Sequence, residues 1–198
     1  MSKPLTSKIL APINRRYGTY RGLIRLALAD LERRAGTLGV LAHPDLRRVR
    51  RAVFVCQGNI CRSPFAHAYA QRLGLEARSL GLATTTDAPA YPLAVETARK
   101  FGVDLSTHRA TDLGDFQFEP GDLLLAMEVR QARRIAPLVA DKDVQVSLLG
   151  LWSTPRRVHI HDPHTLSAEY FETCFDRIMS SVEALQKDLG KAQGLAPT

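Results

Sequence analysis

The chain has 198 residues, of which 45% are apolar and 24% charged, and its formal net charge is +7. This apolar content can bury one α/β core with an appendage, and we find neither an internal repeat nor an apolar run long enough to cross a membrane. Three cysteines are an odd number that does not build a disulfide scaffold, so we expect a reducing, cytoplasmic setting.

The excess positive charge lies in the first fifty residues. Residues 1–51 contain 12 Lys and Arg against 3 Asp and Glu, whereas the rest of the chain contains 15 against 17. Apolar residues at helical spacing predict an amphipathic helix from near Thr19 to Gly36. The stripe consists of Tyr20, Leu23, Ile24, Ala27, Leu31 and Ala35. We therefore expect a basic N-terminal extension over residues 1–50.

This helix has three possible roles. An amphipathic helix ordinarily buries its stripe, here on the rest of the chain, on a partner protein or in a dimer. Arginines beside the stripe, such as Arg21 and Arg25, favour instead an anionic membrane surface, which would make the protein peripheral at a membrane. A nucleic-acid-binding arm is the least favoured role. We expect no secretory signal, because no apolar core of about 7 to 15 residues follows the basic start.

Residues 51–64, RAVFVCQGNICRSP, predict a strand, a short loop and the start of a helix. The apolar run over residues 52–55 is typical of a buried strand, so Cys56 follows at its carboxyl end, where open α/β sheets bind ligands. Ser63 and Pro64 are typical of a helix N-cap and a first helical residue. The loop between them consists of Gln57, Gly58, Asn59, Ile60, Cys61 and Arg62.

This arrangement suits an oxyanion held above a sulfur nucleophile. Backbone N–H groups of the loop and the helix dipole can converge on an oxyanion, and the same field favours a thiolate at Cys56. Arg62 offers two parallel N–H donors to phosphate oxygens, and Ser63 can hydrogen-bond the sulfur. A buried structural cysteine beside a surface arginine is the alternative that the residues leave open.

Alternating strands and helices continue along the chain. The expected strands are 51–56, 76–80, 122–127 and 144–148. The expected helices are 63–73, 92–101, 128–139 and 167–189, the last with Tyr170, Cys174, Ile178 and Leu185 along one side. This order predicts an α/β fold with a small, doubly wound, four-stranded parallel sheet and helices on both faces. We expect the main domain over residues 51–190 and a C-terminal tail over residues 191–198.

The loop resembles the active-site loop of the low-molecular-weight protein tyrosine phosphatases. Their motif is VCxGNICRSP, and this chain reads VCQGNICRSP. The resemblance covers roughly residues 52–190, and its further matching segments are 77–81, 105–110, 123–128, 148–150 and 162–163. It implies a cysteine-dependent phosphomonoester hydrolase that acts on phosphotyrosine through a phosphocysteine intermediate, with no metal and no cofactor.

The resemblance also implies the remaining site residues. Asp162, followed by Pro163, matches the family's general acid, which protonates the leaving oxygen and then serves as the base. Asn59, Ser79 and His108 match positions that hydrogen-bond to one another and hold the loop. The alternatives are an ordinary Asp-Pro turn and a surface histidine in a polar turn.

The cleft walls depart from the family pattern. After the Asp-Pro pair the family commonly has aromatic residues that stack on phosphotyrosine, whereas this chain has His164 and Thr165. The loop around Thr85, which would form another wall, has no large ring. A phosphotyrosine-containing protein is therefore the substrate that the resemblance implies, not one that these residues indicate.

Cys61 lies inside the loop, and the resemblance implies that it can form a reversible disulfide with Cys56.

Two other functions share this fold. A thiol-dependent arsenate reductase would need further relay cysteines, and none is suitably placed between the loop and Asp162. An inactive phosphate-binding adaptor is the other alternative, and the intact Cys56, Arg62 and Asp162 disfavour it.

Overall fold

A four-stranded parallel sheet forms the centre of the molecule in the computed structural model, which describes residues 5–194. The strands are β1 (Arg51–Cys56), β2 (Ala77–Gly81), β3 (Asp122–Ala126) and β4 (Gln145–Leu148), in the order β2-β1-β3-β4. In register, Cys56 lies opposite Gly81 at the end of β2. All strands run the same way, so their carboxyl ends, and the loops that follow them, meet at one edge of the sheet.

Six α-helices surround this sheet in the described part of the chain. They are α1 (Leu5–Tyr17), α2 (Tyr20–Arg34), α3 (Arg62–Arg72), α4 (Pro92–Lys100), α5 (Val129–Ile135) and α6 (Ala168–Ala192). Short 3-10 turns add residues Gly39–Ala42, Leu46–Arg48, Ala136–Val139 and Leu149–Trp152. None of the helices within residues 5–194 has the length and apolar character that a membrane crossing requires.

The strands alternate their side chains between two apolar layers. Phe54 of β1 packs with Phe65 of α3 and Phe175 of α6, whose rings stack at 3.9 Å between centroids. Val53 of β1 packs on the opposite face, with Ile135 of α5. The period of two along a strand thus gives each face of the sheet its own helical cover. The predicted doubly wound α/β fold is confirmed.

The predicted elements match the observed ones closely, with three differences. Helix α1 was not predicted, because Pro12 lies inside it and proline is unfavourable in a helix interior. The helix expected over 128–139 changes to a 3-10 turn at Ala136, where Pro137 lacks the N–H that an α-helix needs. Helix α6 continues to Ala192, and residues 195–198 of the predicted C-terminal tail lie outside the described residues.

Helix α2 packs through its small residues and not through its apolar stripe. Gly22 and Ala29 are buried, and Ala29 joins a cluster with Ala132 of α5 and Leu148 of β4. On the opposite side the exposed fractions are 52% for Tyr20, 52% for Ile24, 54% for Leu28 and 63% for Leu31. The interpretation that this stripe packs on the rest of the chain is therefore wrong. Gly22 and Ala29 are small enough to let the backbone of α2 approach the rest of the chain closely, so α2 packs through them.

Two imidazoles are enclosed in this framework. His67 on α3 hydrogen-bonds to Ser79 Oγ at 3.3 Å, and His159 is 5% exposed. Burial lowers the pKa of His67 to about 4. Burial likewise lowers the pKa of His159 to about 4, although the charge of Glu128 opposes the shift. Both rings are therefore neutral in the folded protein at pH 7.

We expect the free energy of unfolding to fall as the pH drops from about 6.5 to about 4. In this window the unfolded chain binds protons at both histidines and the folded chain does not, so each contributes a loss on the order of 1 to 3 kcal/mol. Urea unfolding at a series of pH values measures this slope. His159→Phe should reduce the slope, and His43→Gln, at an exposed histidine, should leave it unchanged. An unaltered slope in His159→Phe would contradict the assignment.

Candidate active site

The loop between β1 and α3 places hydrogen-bond donors on the sulfur of Cys56. The backbone N–H of Asn59 lies 3.2 Å from Sγ, and the hydroxyl of Ser63 lies 3.0 Å from it. Helix α3 begins at Arg62 with Cys61 as its N-cap residue, so the expected N-cap role of Ser63 is wrong. The Ser63 side chain turns back to the sulfur instead, in the first turn of a helix whose N-terminal end carries a partial positive charge.

Asn59 is the residue that holds the loop in shape. It is fully buried, and its φ of 49° lies in the left-handed region, which asparagine tolerates better than most residues. Its side-chain Nδ2 donates to Ser63 Oγ at 2.8 Å and to Ser79 Oγ at 2.9 Å, while Oδ1 accepts the backbone N–H of Thr111 at 2.9 Å. His108 Nε2 lies 2.8 Å from the carbonyl oxygen of Asn59. One asparagine thus ties the loop to β2 and to the 105–112 segment.

The other loop residues are anchored through their backbones. The carbonyl of Gln57 accepts the N–H of Ala83 at 3.0 Å, and the carbonyl of Ile60 accepts the N–H of Tyr91 at 2.9 Å. A Cβ at Gly81 would lie 3.1 Å from the carbonyl carbon of Gly58, so glycine at the end of β2 lets the loop approach closely. Hydrogen bonds and close packing therefore fix both flanks of the loop.

Arg62 connects the loop to the two carboxylates behind it. Its guanidinium is 1% exposed, and Nη1 donates to Glu128 Oε1 at 2.8 Å and to the Ile160 carbonyl at 2.9 Å. Nη2 donates to Asp162 Oδ2 at 2.6 Å. The Nε of Arg62 is buried without a hydrogen-bond partner in the described part of the chain. A buried N–H without a partner is costly, so an oxyanion that accepts from it would be stabilised.

Asp162 lies far from the loop in sequence and contacts it in space through Arg62. Its side chain is 36% exposed, and its second oxygen, Oδ1, accepts the backbone N–H of His164 at 3.2 Å. Through Arg62 the carboxylate is linked to the β1–α3 loop, although Arg62 and Asp162 lie 100 positions apart in the chain. The three residues singled out for catalysis, Cys56, Arg62 and Asp162, are therefore brought to one edge of the sheet.

Glu128 is a site residue that the sequence reasoning missed. It follows β3 and is 1% exposed, and it binds Arg62, Arg130 and Gln131. Burial opposes its ionisation, but the charge of Arg62 and the hydrogen bonds from Arg130 and Arg62 outweigh it and lower the pKa of Glu128 to about 2. Its position after the carboxyl end of a central strand was the available signal. Glu128 holds Nη1 of Arg62 and thereby orients the guanidinium.

Beside the β1–α3 loop lies an aromatic residue that the sequence could not place. Tyr91 precedes α4, and its ring meets the imidazole of His164 edge-on at 4.7 Å between centroids. Thr165 and Thr85, the other expected wall residues, are exposed, and Thr165 has a φ of 63°. Tyr91 and His164 thus form an aromatic corner beside the loop, where the sequence alone offered only His164.

Cys61 is buried beside Arg62, and burial raises the pKa of its thiol. Cys56, Cys61 and Cys174 are all free thiols. In residues 5–194, no group of three or more His, Cys, Asp or Glu side chains is placed to hold a metal ion. The groups that the structure brings together at the site are the Cys56 sulfur, the loop amides, the Arg62 guanidinium and the Asp162 carboxylate.

Comparisons with known proteins point to one family. The family model described as "Low molecular weight phosphotyrosine protein phosphatase" matches residues 51–194. A probable low molecular weight protein-tyrosine-phosphatase, EpsP of Ralstonia solanacearum, is 33% identical over 138 residues, which cover 69% of this chain and 93% of the relative.

Solved structures show the same fold. The tyrosine phosphatase Wzb from Escherichia coli K30, in complex with sulphate, has a TM-score of 0.58 and 27% identity, covering 72% of this chain and 98% of that one. The YwlE arginine phosphatase from Geobacillus stearothermophilus has a TM-score of 0.63 and 24% identity, covering 73% of this chain and 95% of that one, and shares the fold. The family match and these relatives show that this chain belongs to the low molecular weight protein-tyrosine-phosphatase family, whose members are cysteine-dependent hydrolases.

Proposed function

We propose that the site hydrolyses phosphotyrosine on proteins, with Cys56 as the nucleophile, Arg62 and the loop amides as the phosphate cradle, and Asp162 as the acid and base. The observation that carries this proposal is the pair of donors on one sulfur: the N–H of Asn59 at 3.2 Å and the hydroxyl of Ser63 at 3.0 Å. Such donors favour a thiolate, which is the nucleophilic form of cysteine. A cysteine that only packs in a core does not require two hydrogen-bond donors at its sulfur.

In the first step the Cys56 thiolate attacks phosphorus, and a sulfur–phosphorus bond forms as the bond to the tyrosine oxygen breaks. Asp162 donates its proton to that oxygen, so tyrosine leaves as a neutral phenol. The loop amides and Arg62 bind the equatorial phosphate oxygens, on which the negative charge is spread in the transition state.

In the second step water attacks the phosphocysteine. The Asp162 carboxylate takes a proton from the water, an oxygen–phosphorus bond forms, and the sulfur leaves as a thiolate. The Ser63 hydroxyl, 3.0 Å from the sulfur, stabilises the charge that returns to Cys56. Inorganic phosphate is released and the enzyme is restored.

Arg62 has to change partners when substrate binds. Its Nη2 holds Asp162 at 2.6 Å, while Glu128 keeps Nη1 in place at 2.8 Å. A phosphate dianion competes with the half-exposed Asp162 and not with the buried Glu128, so the guanidinium stays oriented as Nε and Nη2 turn to phosphate.

We also propose that residues 1–50 are an extension to the phosphatase domain of residues 51–190, and that the extension docks a cytoplasmic enzyme on an anionic membrane surface. The exposed apolar face of α2, which consists of Leu28 and the stripe residues Tyr20, Ile24 and Leu31, supports this. Arg21 and Arg25, which flank the stripe, are exposed, whereas the two acidic residues of the helix are paired: Asp30 with Arg33 and Arg34, and Glu32 with Arg133. An apolar face flanked by exposed arginines fits an interface of acyl chains and anionic headgroups.

Cys56→Ser should abolish hydrolysis of an aryl phosphate measured with EDTA present, because an alkoxide is neither available at neutral pH nor an adequate leaving group. Asp162→Asn should lower kcat by about 10² to 10⁴, since the amide cannot donate the proton. Asp104→Asn, at an exposed carboxylate, is the matched control and should retain full activity. Turnover that survives the serine exchange would refute the mechanism, and reduction of arsenate without phosphatase activity would favour the reductase.

Asn59→Ala and Asn59→Gly should both lower kcat/KM by about 10- to 100-fold, because each removes buried hydrogen bonds worth about 1 to 3 kcal/mol. The two variants separate the causes, since glycine accepts the positive φ of this position and alanine does not. Thermal unfolding shows whether the fold is intact. If Asn59→Gly kept wild-type activity, backbone conformation alone would explain the asparagine.

A substrate comparison tests the phosphotyrosine assignment. We expect kcat/KM for a phosphotyrosine peptide to exceed that for a phosphoarginine peptide of the same sequence, since an aromatic ring can pack on Tyr91 and His164. Tyr91→Ala should reduce this preference by about tenfold, in line with the loss of an aromatic contact. A higher kcat/KM for the phosphoarginine peptide would overturn the assignment.

The full-length protein should sediment with liposomes that contain anionic lipid and not with neutral ones, and salt should weaken the binding. Leu28→Glu should abolish sedimentation. Leu138→Glu should not, although both leucines are 54% exposed, because Leu138 lies outside the extension. Absence of binding to anionic liposomes, or a dimer in light scattering that Leu28→Glu dissolves, would overturn the membrane proposal in favour of a protein partner.

A further inference from the structure

The corner between α1 and α2 lies against the segment that carries Asp162. Thr19 Oγ1 is 3.2 Å from Nε2 of His161, the residue directly before Asp162. Thr19 is also the N-cap of α2, where its Oγ1 accepts the N–H of Gly22 at 3.0 Å. A hydroxyl has one proton and two lone pairs, so Thr19 can cap α2 and hydrogen-bond to the imidazole at the same time, with the direction of the second bond set by the tautomer of His161.

Two glycines make room for this imidazole. A Cβ at Gly18 would lie 2.7 Å from His161 Cδ2 and 2.7 Å from the ring of Tyr170, and a Cβ at Gly22 would lie 2.9 Å from His161 Cδ2. Gly18 also has a φ of 78°. Distances this short exclude any side chain at either position, so the corner has a shape that fits His161.

The backbone around Asp162 is fixed on its other side as well. The carbonyl of His161 accepts the hydroxyl of Tyr170 at 3.2 Å, and the carbonyl of Ile160 accepts from Arg62 at 2.9 Å. The side chain of His161 is thus held by the extension while its backbone is held by the phosphatase domain. Asp162 follows immediately, and within the described residues its side chain hydrogen-bonds to Arg62 and to the backbone N–H of His164.

We propose that the α1–α2 corner positions the general acid, with Thr19 acting through His161 on the carboxyl of Asp162. The inference rests on the role proposed above for Asp162. The family match begins at residue 51, so Thr19 lies outside the part of the chain that the family shares. The extension is then part of the catalytic apparatus of this chain, in which Thr19 and His161 are positioning residues.

The charge state of His161 agrees with this role. Burial lowers its pKa, with the charge of Glu128 opposing and that of Arg62 assisting the shift, so the ring is neutral and Nε2 can accept the Thr19 proton. Proton donation requires the acid within hydrogen-bond reach of the leaving oxygen, and a displacement of about 1 Å can cost up to 10²-fold in rate.

The test measures kcat/KM for two aryl phosphates, one with an acidic phenol as leaving group and one with a weakly acidic phenol. A well-placed acid makes the rate nearly independent of the leaving group. The ratio of kcat/KM for the acidic phenol to kcat/KM for the weakly acidic phenol is then close to one, and it rises when the acid is displaced. Thr19→Val removes the hydroxyl at nearly constant volume, Thr19→Ser restores it, and His161→Phe removes the ring nitrogen that it bonds to. Glu32→Gln, which loosens the extension at its ion pair with Arg133, is the matched control.

We expect Thr19→Val and His161→Phe each to raise the ratio about tenfold, the double variant to raise it no further, and Thr19→Ser and Glu32→Gln to keep the wild-type ratio. A structural role alone would lower both rate constants together. Asp162→Asn separates the possible failures: if it leaves the ratio unchanged, the proposed acid is wrong. If Asp162→Asn raises the ratio while Thr19→Val and His161→Phe leave it unchanged in folded proteins, only the positioning role is overturned.

Discussion

The site depends on the buried side chain of Asn59. From a left-handed backbone conformation it donates to Ser63 and Ser79 and accepts from Thr111, and its own N–H points at the Cys56 sulfur. The loop is short and lies between a buried strand and the first turn of a helix, so its amides would otherwise have no fixed direction. One satisfied polar network therefore sets both the shape of the phosphate cradle and the donors on the nucleophile.

Two carboxylates share the arginine of this cradle and differ in burial. Glu128 is 1% exposed and Asp162 is 36% exposed, so only Asp162 can exchange readily with an incoming phosphate. In the proposed mechanism the buried pair orients the guanidinium, and the partly exposed pair separates when phosphate binds. Burial would then give a structural role to Glu128 and a chemical role to Asp162, although both carboxylates bind the same side chain.

The position of the loop between a strand and a helix could be predicted from the sequence, because its signals are local. An apolar run ends at Cys56, Gly58 and Asn59 follow, and Ser63 and Pro64 indicate the start of a helix. The four strands and most helices followed from local periodicity. Glu128 and Tyr91 could not be assigned, because their roles arise from contacts with residues far along the chain. The outward stripe of α2 was not predictable for a similar reason: periodicity shows that a helix has two unlike faces, and packing of Gly22 and Ala29 decides which one faces inward.

A crystal of the full chain soaked in inorganic phosphate tests the central claim most directly. The account predicts a phosphate whose phosphorus lies about 3 to 3.5 Å from the Cys56 sulfur, with its oxygens on the loop amides and on Nε and Nη2 of Arg62, and with Asp162 released from that arginine. Phosphate bound elsewhere, or an Arg62 that keeps Asp162 while the loop amides point away from the anion, would contradict it.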